Sequence, residues 1–143
     1  MRPLEPLLKT APLLVPILRD DDPLEALVSL AQLIGGAGRA VQVVSIKEVP
    51  HQSPFWLFDG HDTSARARFL KVAEAEPNCA YEGVLTRRLG DLLRERASDP
   101  GVRWVVMSWP PSRPWWRALA FGPLYRFVED PPCSLAVYRP AAG

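Results

Sequence analysis

Residues 12–19 read PLLVPILR, a run that is apolar almost throughout and does not alternate. A strand with one wet face would alternate polar and apolar side chains, so a run this uniform suits a strand covered on both faces. Burial on both faces demands a layer above the sheet and another below it. Asp20-Asp21-Asp22-Pro23 then reads as a helix start, with an aspartate at the N-cap and proline at the first helical position. Leu24, Leu27, Val28, Ala31, Leu33 and Ile34 recur at helical spacing until Gly35-Gly36 stops the helix.

The alternation continues along the chain. Residues 39–49 (RAVQVVSIKEV) are β-branched and strand-like, and Pro50 closes them. A loop from His51 to His61 carries Phe55, Trp56, Leu57 and Phe58, which are expected to fold over the sheet or join a dimer contact. Asp62-Thr63-Ser64 caps a helix running to about Glu76, and a weaker strand follows from Tyr81 to Thr86. Leu89 to Ala97 reads as a helix, Val102 to Ser108 (VRWVVMS) as the strongest strand, Pro123 to Glu129 as a short helix, and Cys133 to Tyr138 as a last strand. This β-α-β-α-β-α-β-α-β order predicts a single α/β domain of three layers, a five-stranded, mostly parallel sheet with helices on both faces. The domain is expected over 11–140, with an N-terminal arm or tether at 1–10 and a short tail at 141–143.

Several function classes lose support at once. A formal net charge of +1 provides no field for nucleic acid, and no apolar run reaches the ~20 residues that span a bilayer. The two cysteines, Cys79 and Cys133, lie far apart without a CxxC pair, so a reduced, cytoplasmic compartment is the simplest reading. No GxSxG occurs, and no serine has a histidine at motif spacing. Glu48, Glu74, Glu76 and Glu82 form no readable acid–base pair, so an enzyme is not expected. His51 and His61, with Asp59 and Asp62, share a loop, but their spacing fits no known metal site and they read as solvated.

Parallel α/β sheets take ligands beyond the carboxyl ends of their strands, where the strand order reverses. Here those positions are Leu18 to Asp22 and the segment from Ser108 onward. The second is unusual: SWPPSRPWWRALAFGP packs three tryptophans, four prolines and two arginines between two apolar runs.

With LLVPI in the first strand, EVP at the end of the second and WVVMS…FG…DPPCSLAVYRP at the close, the chain resembles the universal stress protein family from about Ala11 to Pro140. Within it, LVPI at 14–17 and EVPHQSPF at 48–55 are most similar to the cytosolic domains attached to amino-acid permeases. The first residues would then lead out of a membrane domain; a stand-alone protein beginning at Met1 is equally compatible. The resemblance also implies a homodimer paired through the last strand, Ser134 to Arg139.

Nucleotide-binding members of that family carry Gly-x2-Gly-x9-Gly-Ser/Thr after the fourth strand, where bare backbone amides meet phosphates. Aligned on Met107, this chain places Ser108 at the first glycine and Pro111 at the second. The third glycine falls on Phe121, or on Gly122 with one residue inserted, which leaves Pro123 at the Ser/Thr position. Proline has no N–H to donate, and side chains at 108 and 121 crowd a backbone that has to approach a ligand closely. No cofactor is therefore expected. The alternative is ATP or AMP held differently, by Arg19, Asp20, Ser108, Ser112, Arg113 and Gly122.

Two readings of the segment remain. Trp115, Trp116, Leu119 and Phe121 pack down into the empty crevice, or Trp109, Trp115 and Trp116, with Arg113 and Arg117, form an exposed docking surface for a protein partner. A membrane-interface version of the second shares the same residue types. The leading expectation is a non-catalytic regulatory or interaction module acting through dimerisation and a protein partner, and of the two exposed versions docking is preferred to the membrane interface.

Overall fold

The structure is a computed structural model, and it describes residues 12–20, 22–36, 38–108 and 123–138, without the side chains of 123–125. Five strands are joined through four helices: β1 (Leu13–Ile17), α1 (Leu24–Gly35), β2 (Val41–Glu48), α2 (Thr63–Ala75), β3 (Cys79–Thr86), α3 (Leu89–Ala97), β4 (Trp104–Ser108), α4 (Pro123–Glu129) and β5 (Ser134–Tyr138). A four-residue 3-10 turn, Phe55–Phe58, stands between β2 and α2. The sheet is parallel throughout, in the order β3-β2-β1-β4-β5. Strand order therefore reverses between β1 and β4, as the sequence pattern requires of a doubly covered sheet.

Every residue of β1 is buried, which explains why its sequence lacks alternation. Successive side chains leave a strand on opposite faces, so β1 feeds two cores. Leu13, Val15 and Ile17 meet Leu24, Leu27, Val28 and Ala31 of α1 and Ala65 and Phe69 of α2. Leu14 faces the other way, with Val44, Ile46, Val105 and Met107, under Leu93 and Ala97 of α3 and Phe127 of α4. Helices α1 and α2 thus cover one face, and α3 and α4 the other. Removing a fully buried side chain such as Leu27 or Phe127 should cost about 2–5 kcal/mol.

The register holds the halves together. Leu13 and Leu14 lie beside Trp104 and Val105, and the carbonyl of Pro12 accepts from the amides of both Arg103 (2.8 Å) and Trp104 (3.0 Å). Leu33, which shares the helical repeat of α1 in sequence, is 81% exposed. It sits off the buried line through Leu24, Leu27, Val28 and Ala31. No helix among the described residues is long and apolar enough to cross a membrane.

Candidate functional site

The chain leaves β1 through Leu18-Arg19-Asp20, and two carboxylates hold this exit. Asp22 is buried and turns its Oδ2 back toward the strand, accepting from the amides of Leu18 (2.9 Å) and Arg19 (3.1 Å). Its Oδ1 lies 4.0 Å from the Arg19 guanidinium. The side chain expected to cap α1 therefore closes the strand tip instead. Asp20 reaches across to α2, where its Oδ1 accepts from the amide of Ala65 at 2.9 Å. That amide is one of the unpaired donors of the first turn, so Asp20 caps a helix 45 residues away in sequence.

Arg68 on α2 clamps the same loop. Its guanidinium donates to the carbonyls of Asp22 (2.8 Å) and Asp20 and to Glu25 on α1 (3.3 Å). Its Nε is buried with no hydrogen-bond partner among the described residues. The clamp joins both helices on one face to the tip of β1.

Asp62 precedes α2 and is also buried, yet it too does not cap its own helix. Its Oδ2 accepts from the Tyr81 hydroxyl and, at 3.4 Å, from Arg66; its Oδ1 lies 3.8 Å from His61 Nδ1. The carboxylate presses against Gly83, where an added Cβ would stand 2.4 Å from Oδ2. Burial pushes the Asp62 carboxyl up, but the Tyr81 hydroxyl, His61, its own amide and Arg66 outweigh it and hold the group below the usual range. Burial and the same hydrogen bond push the Tyr81 hydroxyl upward. His61 also approaches the Ser45 carbonyl through Nε2 at 3.4 Å, and its side chain is largely buried, which corrects the expectation of a solvated loop histidine.

Between these groups a crevice of about 390 Å³ opens at the carboxyl ends of β1 and β2. Leu18, Arg19 and Asp20 form one wall; Ser45, Ile46 and Lys47 form another; Phe58 and His61 close the rim. Lys47 Nζ sits 5.5 Å over the Phe58 ring. Beside the crevice, Arg87 braces the 3-10 turn by donating to the carbonyls of Pro50 and Ser53 (2.8 Å) and by stacking 4.5 Å over Phe55. Trp56 and Leu57 point into solvent, at 68% and 55% exposure, so this turn does not fold over the sheet as a unit.

The crevice brings Arg19 and Asp20 together. Ser108 is buried at the tip of β4, beside Tyr138, and is not among the crevice's described lining residues. Ser112, Arg113, Gly122, Trp109, Trp115, Trp116 and Arg117 lie outside the described residues. Sequence reasoning missed Ser45, Lys47, Phe58 and His61 as companions of Arg19. The alternating Ser45 and Lys47 at the end of β2 were the available signal, because β2 pairs with β1, whose exit the sequence marks as a candidate ligand position.

No protein-family profile matches the chain, and no curated protein sequence does. Among solved structures, the universal stress protein UspA from Lactobacillus plantarum superposes with a TM-score of 0.60 at 14% identity, covering 90% of this chain and 99% of that one. The chain has the universal stress protein fold. At that identity the likeness is one of architecture, and the five-stranded parallel sheet between helical layers is its content.

Proposed function

We propose that this chain is a non-catalytic regulatory or interaction domain of the universal stress protein type, one that has lost the family's hold on nucleotide. One observation carries the reading: the tip of β1 spends its polar groups on itself. The Leu18 and Arg19 amides both donate to Asp22, and the Asp20 carboxylate is taken by Ala65. A ligand there would have to displace bonds already made, at roughly 1 kcal/mol each. The prolines at 111 and 123, where backbone donors are needed, point the same way.

In this proposal the domain works through contacts. Strand β5 is an edge with β4 as its neighbour, and an edge of this kind can pair with its symmetry mate in a homodimer. Trp109, Arg113, Trp115, Trp116 and Arg117 are the residues assigned to a protein partner, on sequence grounds. The finer form, a cytoplasmic domain of an amino-acid transporter, rests on LVPI and EVPHQSPF alone.

Thermal unfolding with and without millimolar Mg-ATP or AMP tests the reading. Ligand at 100-fold over its dissociation constant would add about 2.7 kcal/mol to unfolding. No shift is expected. The second reading, a divergent ATP- or AMP-binding protein, is favoured by the open crevice with Arg19 and Lys47 on its walls. A clear shift that Arg19→Ala abolishes would establish it and overturn the first.

A further inference from the structure

The opposite end of the sheet holds a second cavity with a different character. It measures about 270 Å³ and lies where β1 and β4 begin. Pro12, Leu13, Ile34 and Trp104 supply apolar walls, and Arg39 and Arg103 stand at its rim. Its size falls just below that of most ligand pockets, which run from about 300 Å³ upward, and so suits only a small ligand.

The two arginines differ from most others among the described residues. Arg66, Arg68 and Arg96 are paired with carboxylates, and Arg87 and Arg94 with backbone carbonyls. Arg39 and Arg103 have no carboxylate or carbonyl partner for their guanidinium groups among the described residues. Each nevertheless leaves a fixed backbone. The Arg103 amide donates to Pro12 at 2.8 Å, and its carbonyl accepts from Ser134 at 3.3 Å. The Arg39 amide donates to the Gly36 carbonyl at 3.3 Å, closing a turn in which Gly36 (φ +91°) and Gly38 (φ +83°) adopt a conformation that side-chain-bearing residues rarely take. The Asn78 side chain holds the Gly38 carbonyl at 2.8 Å. Gly35 lets the end of α1 drop onto β1, since a Cβ there would stand 2.4 Å from Leu13 Cδ1.

We propose that this niche binds a small anion carried on a flat apolar body, of the aryl carboxylate class. Planar guanidinium groups match a carboxylate bidentately, and the Trp104 wall suits an aromatic ring. The site is separate from the crevice at the carboxyl ends, and its occupancy is independent of whether that crevice takes nucleotide.

The probes are 1-naphthoate, the uncharged 1-naphthalenemethanol and inorganic phosphate, read by saturation-transfer NMR on the full chain. Naphthoate is expected to bind at least about tenfold more tightly than the alcohol or phosphate, because it alone engages both halves of the niche. Arg39→Glu or Arg103→Glu should weaken it by about tenfold or more, while Lys47→Glu in the distant crevice leaves it unchanged. The milder Arg39→Gln and Arg103→Gln serve if a charge reversal fails to fold. Absence of naphthoate binding, or binding indifferent to both arginines, overturns the proposal. So does a melting temperature that falls by several degrees in the arginine variants while naphthoate leaves the native protein untouched, which would assign the arginines to the fold.

Discussion

The two ends of the sheet are built on opposite electrostatic plans. At the carboxyl end, charge is answered from within: Asp22 meets the Leu18 and Arg19 amides, Asp20 meets Ala65, and Asp62 meets Tyr81 and Arg66. At the amino end, Arg39 and Arg103 flank a hollow lined also by Pro12, Leu13, Ile34 and Trp104, and meet no such answer among the described residues. At the carboxyl end the backbone donors at the tip of β1 are thus taken although a crevice stands open beside them, and at the amino end two guanidinium groups have no carboxylate or carbonyl partner among the described residues. Topology alone does not decide where a ligand binds; the site's own groups have to be weighed.

The contrast predicts large effects at one end and small ones at the other. Asp62→Ala should cost about 2–3 kcal/mol, read from urea unfolding, because it strands the Tyr81 hydroxyl beside the core. A carboxyl held below its ordinary range contributes stability that is present above the unfolded value and lost as pH falls through the folded one. Native protein should therefore weaken below about pH 4, and Asp62→Asn should flatten that limb of the stability curve. A flat acid limb in the native protein would show that the cluster is not coupled to folding.

Asp22→Ala comes next, at about 2 kcal/mol, since two amides lose one acceptor. Asp20→Ala should cost about 1 kcal/mol as a lost helix cap, and Asp20→Asn most of that less, because an amide oxygen still accepts from Ala65. Equal losses for Asn and Ala at position 20 would mean that the charge, and not the hydrogen bond, is what α2 requires. Smallest of all, Arg39→Glu and Arg103→Glu should stay within about 0.5 kcal/mol in the same denaturation assay. A loss comparable to that of Asp22→Ala would erase the distinction between the two ends.

The fold was legible because the repeating pattern is written in short-range chemistry. Helices at 89–97 and 123–129 begin and end where their sequence signals do. Strand β3 starts at Cys79, two residues before the β-branched and aromatic signal, because pairing with Val41 and Gln42 extends it. Strand β4 begins at Trp104 rather than Val102, whose amide is held in a turn by the Asp99 carbonyl at 3.0 Å. The aspartates were legible as residues but not as roles. Read locally, Asp22 and Asp62 are N-caps; in the folded chain the first closes a strand tip and the second answers a tyrosine 19 residues on. Asp20 does the capping, for a helix whose start no local rule connects to it. Partners chosen across the sheet leave no periodic trace, which is also why Lys47 and His61 were not grouped with Arg19.

Strand β1 sits at the centre of the sheet but is translated first of the five. Its partner β2 follows after one helix, yet the side that meets Trp104 and Val105 must wait until β2, β3 and three helices have been made and β4 itself has emerged from the ribosome. During that interval LLVPI presents one unpaired edge and two incompletely covered apolar faces, the condition that recruits chaperones and slows the closing of distant contacts. The doubly received carbonyl of Pro12 is then a late stitch, followed only by the covering helix α4 and the pairing of β5 onto β4, and nascent chains halted before it should be the ones that aggregate.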